Sequence, residues 1–189
     1  MSKRPKQGDN PWRTLAVREV YDNPWIRVTA EDVLKPSGEP GIYGKVSFKN
    51  IACGIIPLAD NHDTWLVGQY RYTLDEYSWE IPMGGVPLNE ALLDGAQREL
   101  REETGLRAAR WALILRSHVS NSISDEVGVV YVAEDLIEGE PEFEDTEQLE
   151  ICRLPFAEAL RMAMRGEITD LLSIAGLLKL AMLRPQLRD

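Results

Sequence analysis

The chain has 189 residues, 44% of them hydrophobic and 28% charged, with 21 basic against 31 acidic side chains and a net charge of -10 at pH 7. That length and apolar content can bury one sizeable core, so a single domain over residues 1–189 is expected. The acidic balance opposes nonspecific binding to nucleic acid or to an anionic membrane, and no apolar run reaches the roughly 18 residues of a membrane span. The only two cysteines, Cys53 and Cys152, stand far apart and outside any Cys-x-x-Cys pattern, and the opening MSKRPKQGDNPW lacks an apolar signal core. Together these features predict a reducing cytoplasm.

After a basic leader, strand-like segments are predicted at 13–20, 25–34, 42–49, 51–58 and 64–71. Turn signals separate them: Asn23-Pro24, Pro36-Ser37-Gly38 and Asp60-Asn61-His62-Asp63. A helix is expected over 90–104, with Asn89 as its N-cap, Glu90 in the acidic first turn and Gly105 ending it in the left-handed region. Leu93, Ala96 and Leu100 give that helix an apolar stripe. Strands follow near 111–119, 127–133 and 149–154. Two helices, about 155–165 and 169–183, close the chain, the second with Leu171, Leu172, Ala175, Leu178 and Met182 marking an apolar face. Elements in this order suggest an α/β sandwich, and no internal repeat interrupts them.

The densest signal lies at 84–106. Gly84, Glu90, Arg98, Glu99, Leu100, Glu102, Glu103, Gly105 and Leu106 stand in the order G-x5-E-x7-R-E-U-x-E-E-x-G-U, where U is aliphatic. At average residue usage such a match arises by chance on the order of once in a billion starting points. Glu99, Glu102 and Glu103 would converge near the C-terminal end of the helix, where like charges and the macrodipole each cost a few tenths of a kcal/mol or more. A locally disfavoured cluster is expected where function imposes it. Carboxylate oxygens suit hard divalent cations, and Mg2+ is commonly held by one or two carboxylates plus the phosphates of its substrate. Arg98 either pairs with Asp94 at i,i+4 or orients the glutamates.

This box resembles that of Nudix hydrolases, which cleave nucleoside diphosphates linked to another moiety with divalent metal and water. The resemblance implies a mixed β-sheet in an α/β/α sandwich, with an extra N-terminal antiparallel β segment. It also implies Mg2+, with Mn2+ as substitute, bound or supported by Glu99, Glu102 and Glu103, with the Met83 carbonyl as a further ligand and Arg98 in the catalytic machinery. Such metals polarise a phosphoryl oxygen and activate or place a water, so covalent catalysis is not needed.

The flank QYRYTLDEYSWEIPMGG, Gln69 to Gly85, is similar to the approach to the box in ADP-ribose pyrophosphatases and related nucleotide-sugar hydrolases. Arg71 and Glu80 are therefore candidate substrate contacts, Arg71 because a diphosphate calls for a forked cation. Trp79 is expected in the core, while Tyr70 and Tyr72 stay open between stacking and packing. Those pyrophosphatases carry a Pro where this chain has SHVSNSISDE, Ser117 to Glu126. Its absence moves weight from ADP-ribose toward other nucleoside diphosphate sugars such as GDP-mannose. Ser120 and Ser122 could bind sugar or phosphate there, or simply turn the chain.

In this branch the general base is often a Glu on a loop after the box, which points first to Glu147 and then to Glu144 within EPEFEDTEQLE. The resemblance further implies a homodimer built through residues 1–40, ahead of a hydrolase core over 41–189, with Trp12 and Trp25 in the extra segment. His62 and His118 are given no function, and there is no Walker loop or Ser-His-Asp pattern. The leading expectation is Mg2+-dependent hydrolysis of a nucleoside diphosphate sugar. Its alternatives are an ADP-ribose-specific pyrophosphatase and, from another class, a non-catalytic nucleotide-sugar sensor.

Overall fold

The structure is a computed structural model that describes residues 8–143 and 148–188. The chain folds as two compact units, one of residues 1–49 with 120–125 and one of residues 50–119 with 126–189.

In the first unit, β1 (Arg13–Asp22), β2 (Ile26–Leu34) and β3 (Pro40–Phe48) form an antiparallel sheet in that order. The Asn23-Pro24 turn works through its side chain: Asn23 Oδ1 accepts from the backbone N–H of Trp25 and Ile26 at 2.9 and 2.8 Å. The segment 120–125 joins this sheet through a bridge between Val46 and Ser124 and a bond from the Phe48 N–H to the Asp125 carboxylate. All ten residues of β1 are exposed, Leu15, Val17, Val20 and Tyr21 among them.

The second unit holds β4 (Asn50–Pro57), β5 (Asp63–Arg71), β6 (Glu76–Glu80), β7 (Met83–Pro87), α1 (Leu92–Thr104), β8 (Arg107–His118), β9 (Val127–Ile137), β10 (Glu150–Pro155), α2 (Phe156–Arg165) and α3 (Leu171–Leu183). A mixed sheet runs β7-β4-β9-β8, with β4 and β9 parallel and the other pairs antiparallel. A smaller antiparallel sheet runs β10-β5-β6.

Residue alternation on the two central strands makes the sandwich. Cys53 and Ile55 of β4 and Val129, Tyr131 and Ala133 of β9 share a core with Ala96 and Leu100 of α1, whereas Ile56, Val130 and Val132 share the other core with Phe156, Leu172, Leu177 and Leu180 of α2 and α3. Strands buried on both faces read as continuous apolar runs, as Ile51–Leu58 and Val127–Ala133 do.

Four local expectations need correction. Between 71 and the helix the chain forms β6 and β7, whose Pro82, Gly84, Gly85 and Pro87 hide the strand pattern; the two strands are held by pairing with β5 and β4. Helix α1 begins at Leu92, and Ala91, not Asn89, is its N-cap, with no side-chain capping bond. Glu90 lies ahead of the helix, its N–H bonded to the Pro87 carbonyl and its carboxylate drawn to Arg98. Leu93 is turned outward, so the buried face of α1 is Gly95, Ala96, Glu99, Leu100, Glu103 and Thr104. In α3 the exposed residues include Leu171, Leu178 and Met182, and the buried ones are Leu172, Ser173, Gly176, Leu177, Leu180 and Ala181. A helix apolar on every side carries no periodicity from which to choose the face that packs.

Candidate active site

The carboxylates of the box gather because α1 turns them toward β7. Gly105, at φ 73°, ends the helix and returns its N–H to the Arg101 carbonyl at 2.8 Å. Two residues earlier Glu103 is 1% exposed, and its Oε2 accepts the Met83 N–H at 2.8 Å, tying helix to strand. Glu99 is 8% exposed and lies against Gly84, where a β-carbon would land on its carboxylate. Glu102 is half-buried. Burying an ionised carboxylate is costly unless it is paired or coordinates a cation.

Arg98 is the hub of this cluster. Its Nη1 donates to Glu99 Oε1 at 2.8 Å and to Glu102 Oε2 at 3.1 Å, while Nη2 reaches Glu90 Oε2 at 3.1 Å and the Gly85 carbonyl at 3.5 Å. Its pKa is raised above the ordinary arginine range, by the Glu90 hydrogen bond first and by Glu99 next. Among the described residues its ion pairs run to Glu90, Glu99 and Glu102, so of the two readings left open for Arg98 the contacts are those with the glutamates and not with Asp94. The Glu90 partnership was the contact that sequence reasoning missed. The fixed spacing of eight residues between Glu90 and Arg98 was the available signal.

Arg71 and Glu80 meet each other. The Arg71 Nε donates to Glu80 Oε1 at 2.9 Å and Nη2 to Glu80 Oε2, a forked pair whose carboxylate is almost wholly buried. The Arg71 pKa is raised by that hydrogen bond first, with further contributions from Asp170 and Glu103. Arg71 therefore lies in the field of Glu103 of the box. Asp170 caps α3 by accepting the Ser173 N–H at 2.6 Å, and the Ser173 hydroxyl in turn accepts the Ile81 N–H at 3.1 Å. The chain entering the box is thus pinned beneath the start of α3.

Met83, Arg98, Glu99, Glu102 and Glu103 are brought together, and Arg71, paired with Glu80, lies in the field of Glu103. Ser120 and Ser122 belong to the first unit, in a turn where the Ser120 carbonyl accepts from Ile123 and Ser124 and the Ser122 carbonyl from the Tyr43 hydroxyl. Glu144 and Glu147 lie outside the described residues. Trp79 packs partly buried against the core, while Tyr70 and Tyr72 are exposed. Cys53, buried beside the cluster, has its thiol pushed up to about 12 by burial and by Glu99, so it is an inert thiol.

By type, three carboxylates suit a hard divalent cation. Among the described residues they are not drawn into a ready cation cage. Arg98 stands between Glu99 and Glu102, and Glu103 is turned to the Met83 N–H.

A mixed sheet between helices, with a carboxylate cluster fixed on the strand-turn-helix of the box, is the architecture of a Nudix-class hydrolase. The NUDIX domain model matches residues 49–172, and the chain belongs to that family of hydrolases. A second model, the nucleoside diphosphate sugar hydrolase N-terminal domain, matches residues 12–46. An ADP-ribose pyrophosphatase of Mycobacterium tuberculosis is 32% identical over 90% of this chain and 83% of its own length. Another ADP-ribose pyrophosphatase, from Bacillus subtilis, is 28% identical over 84% and 86%. A crystal structure of an ADP compounds hydrolase superimposes with a TM-score of 0.84 at 21% identity, covering 97% of this chain and 100% of that one. That likeness establishes the α/β/α Nudix fold. No helix among the described residues is long and apolar enough to cross a membrane.

Proposed function

We propose that the protein hydrolyses the diphosphate bond of a nucleoside diphosphate sugar, with ADP-ribose as the first substrate, giving a nucleoside monophosphate and a sugar phosphate. The observation that carries this reading is the Arg98 hub, which fixes Glu90, Glu99 and Glu102 within hydrogen-bonding reach of one guanidinium beside the Glu103–Met83 tie. The missing Pro near Ser117–Glu126 had favoured GDP-mannose; the relatives that bear the name ADP-ribose pyrophosphatase return the weight to ADP-ribose.

In this reading Glu99, Glu102 and Glu103, with the Met83 carbonyl, hold Mg2+, for which Mn2+ substitutes. The bound cation supplies charge neutralisation at the diphosphate and lowers the pKa of a water. Arg98 orients Glu99 and Glu102 and offsets their mutual repulsion, with Glu99 held against Gly84. Glu80 orients Arg71, whose guanidinium presents a fixed cation to the substrate diphosphate. Glu147, then Glu144, takes the proton from the attacking water. Ser120 and Ser122 contribute sugar or phosphate contacts. The exposed apolar residues of β1 support a homodimer formed through the N-terminal sheet, and the cysteine pattern supports a cytoplasmic protein.

The test is turnover with Mg2+ on a panel of ADP-ribose, GDP-mannose, ADP-glucose, UDP-glucose, diadenosine polyphosphates and nucleoside triphosphates, with phosphatase added to release phosphate from the products. Preference for ADP-ribose supports the reading. Preference for another nucleotide sugar replaces the substrate and keeps the class. Silence across the panel with folded protein, Mn2+ also tried, overturns it.

A further inference from the structure

Beside the carboxylate cluster, α1 and the start of β8 enclose an open cavity of about 480 Å3 lined by Asp94, Gln97, Arg98, Arg101, Arg107 and Trp111. Its volume falls within the roughly 300–1,000 Å3 of small-molecule sites. Three arginines line it, with Asp94 the one acid in the lining, on a chain whose net charge is -10. The concentration of positive charge runs against the composition of the chain.

The donors of this cavity are under-used. Arg107 is exposed and has no ion pair among the described residues. The Nε of Arg101 is buried and makes no hydrogen bond among them. The Glu142 carboxylate stands 3.8 Å from that nitrogen and is itself 63% exposed, an arrangement of small energetic worth that a better anion can displace. Glu138, Glu140 and Glu142 line a neighbouring cavity that shares Arg101 and Arg107. A ligand must therefore meet the arginines in a forked geometry to compete with those acids. Trp111 supplies the complementary surface. Its indole N–H is engaged by the Ala108 carbonyl at 3.1 Å, and the ring makes a T-shaped contact with Tyr131. The indole is thus held in place while half-buried at the cavity wall.

We propose that this cleft is a second binding site, for a ligand that joins a phosphate to a planar base, the chemical class of a nucleoside monophosphate. The phosphate lies between Arg101 and Arg107, and the base stacks on Trp111. The site adjoins the carboxylate cluster through Arg98 and through Arg101, whose Nη2 stands 3.7 Å from Glu102 Oε1, so its occupant pulls on residues that hold Glu102.

The experiment is titration of the full chain with adenosine 5′-monophosphate while following the tryptophan indole N–H resonances, that of Trp111 being assigned with Trp111→Phe. The Trp111 signal is expected to move saturably in the wild type. In Arg107→Glu and in the milder Arg107→Ala the midpoint should rise about tenfold, the loss of roughly one charged hydrogen bond. Turnover at saturating substrate should stay within about twofold of wild type in both variants, since Arg107 is outside the hydrolytic cluster. A Trp111 signal that stays still, one that titrates with the same midpoint in both variants, or one that inorganic phosphate moves as well as the nucleotide does, overturns the proposal.

Discussion

Replacing Gly84 by Ala gives a sharp test of how the box positions its carboxylates. A β-carbon at this position would coincide with the Glu99 carboxylate, and neither neighbour can yield cheaply. Gly84 is fixed in β7 opposite Cys53 of the fully buried part of β4, and Glu99 is held by Arg98 at 2.8 Å. The carboxylate must swing away and surrender a charge-assisted bond, at a cost of about 1.5–3 kcal/mol. In a chain of this size that lowers the melting temperature on the order of 5 °C. Displacing a catalytic group by about 1 Å costs on the order of a hundredfold in rate. Steady-state hydrolysis of ADP-ribose at saturating Mg2+, with thermal unfolding followed in parallel, reads both quantities. Gly85→Ala is the control, since its β-carbon would meet the Asn50 amide nitrogen at 2.9 Å, the end of a side chain that can turn aside. A Gly84→Ala enzyme with kcat within about twofold of wild type would refute the placement of Glu99 in the mechanism.

Three further outcomes are expected. Arg98→Lys keeps one charge but cannot bridge Glu90, Glu99 and Glu102 together, so kcat should fall about tenfold to a hundredfold while circular dichroism is unchanged; an unaltered kcat contradicts the hub. Glu134, held by both Nη atoms of Arg184 at 2.6 and 2.9 Å, has its pKa lowered by that pair. A depressed carboxylate pKa gives stability that is present above the unfolded value of 4.5 and is lost as pH falls through the folded one. Glu134→Gln should therefore lower stability by about 1 kcal/mol at neutral pH and flatten the acid limb of the unfolding curve, with identical limbs as the contrary result. Light scattering at micromolar concentration should give twice the 21.4 kDa chain mass, and Val17→Asp on exposed β1 should shift it toward monomer; a monomeric wild type sinks the dimer.

The parts of the fold legible in sequence were those with strong periodicity or a fixed motif. The runs that became β4, β5 and β9 and the helix ended by Gly105 fall close to their expected places. What stayed hidden depends on tertiary pairing. In β7, Gly84 and Gly85 are poor strand formers; Gly84 is there because strand and helix approach closely at the Glu99 carboxylate, while Gly85 lies against Asn50 of β4. The start of α1 was misplaced because Glu90 resembles a first-turn acid locally but serves Arg98 eight residues on. Likewise Arg71 and Glu80 were both named as substrate contacts, and only the β5–β6 hairpin makes them a forked pair. The box spacing carried the identities of the clustered carboxylates, whereas their division of labour needed the geometry: Glu103 on the Met83 N–H, and Glu99 and Glu102 on one guanidinium.

The most direct measurement of the central claim is the rate at which the wild type and Glu103→Gln release AMP from ADP-ribose as Mg2+ is titrated, with product identified by chromatography. The account predicts saturable, Mg2+-dependent formation of AMP and ribose 5-phosphate by the wild type. It also predicts that a folded Glu103→Gln protein loses most of that turnover at every Mg2+ concentration, because the buried carboxylate has lost its charge. Wild-type rates in Glu103→Gln under Mg2+ saturation, or wild-type turnover indifferent to added Mg2+ and to its removal by chelator, would contradict it.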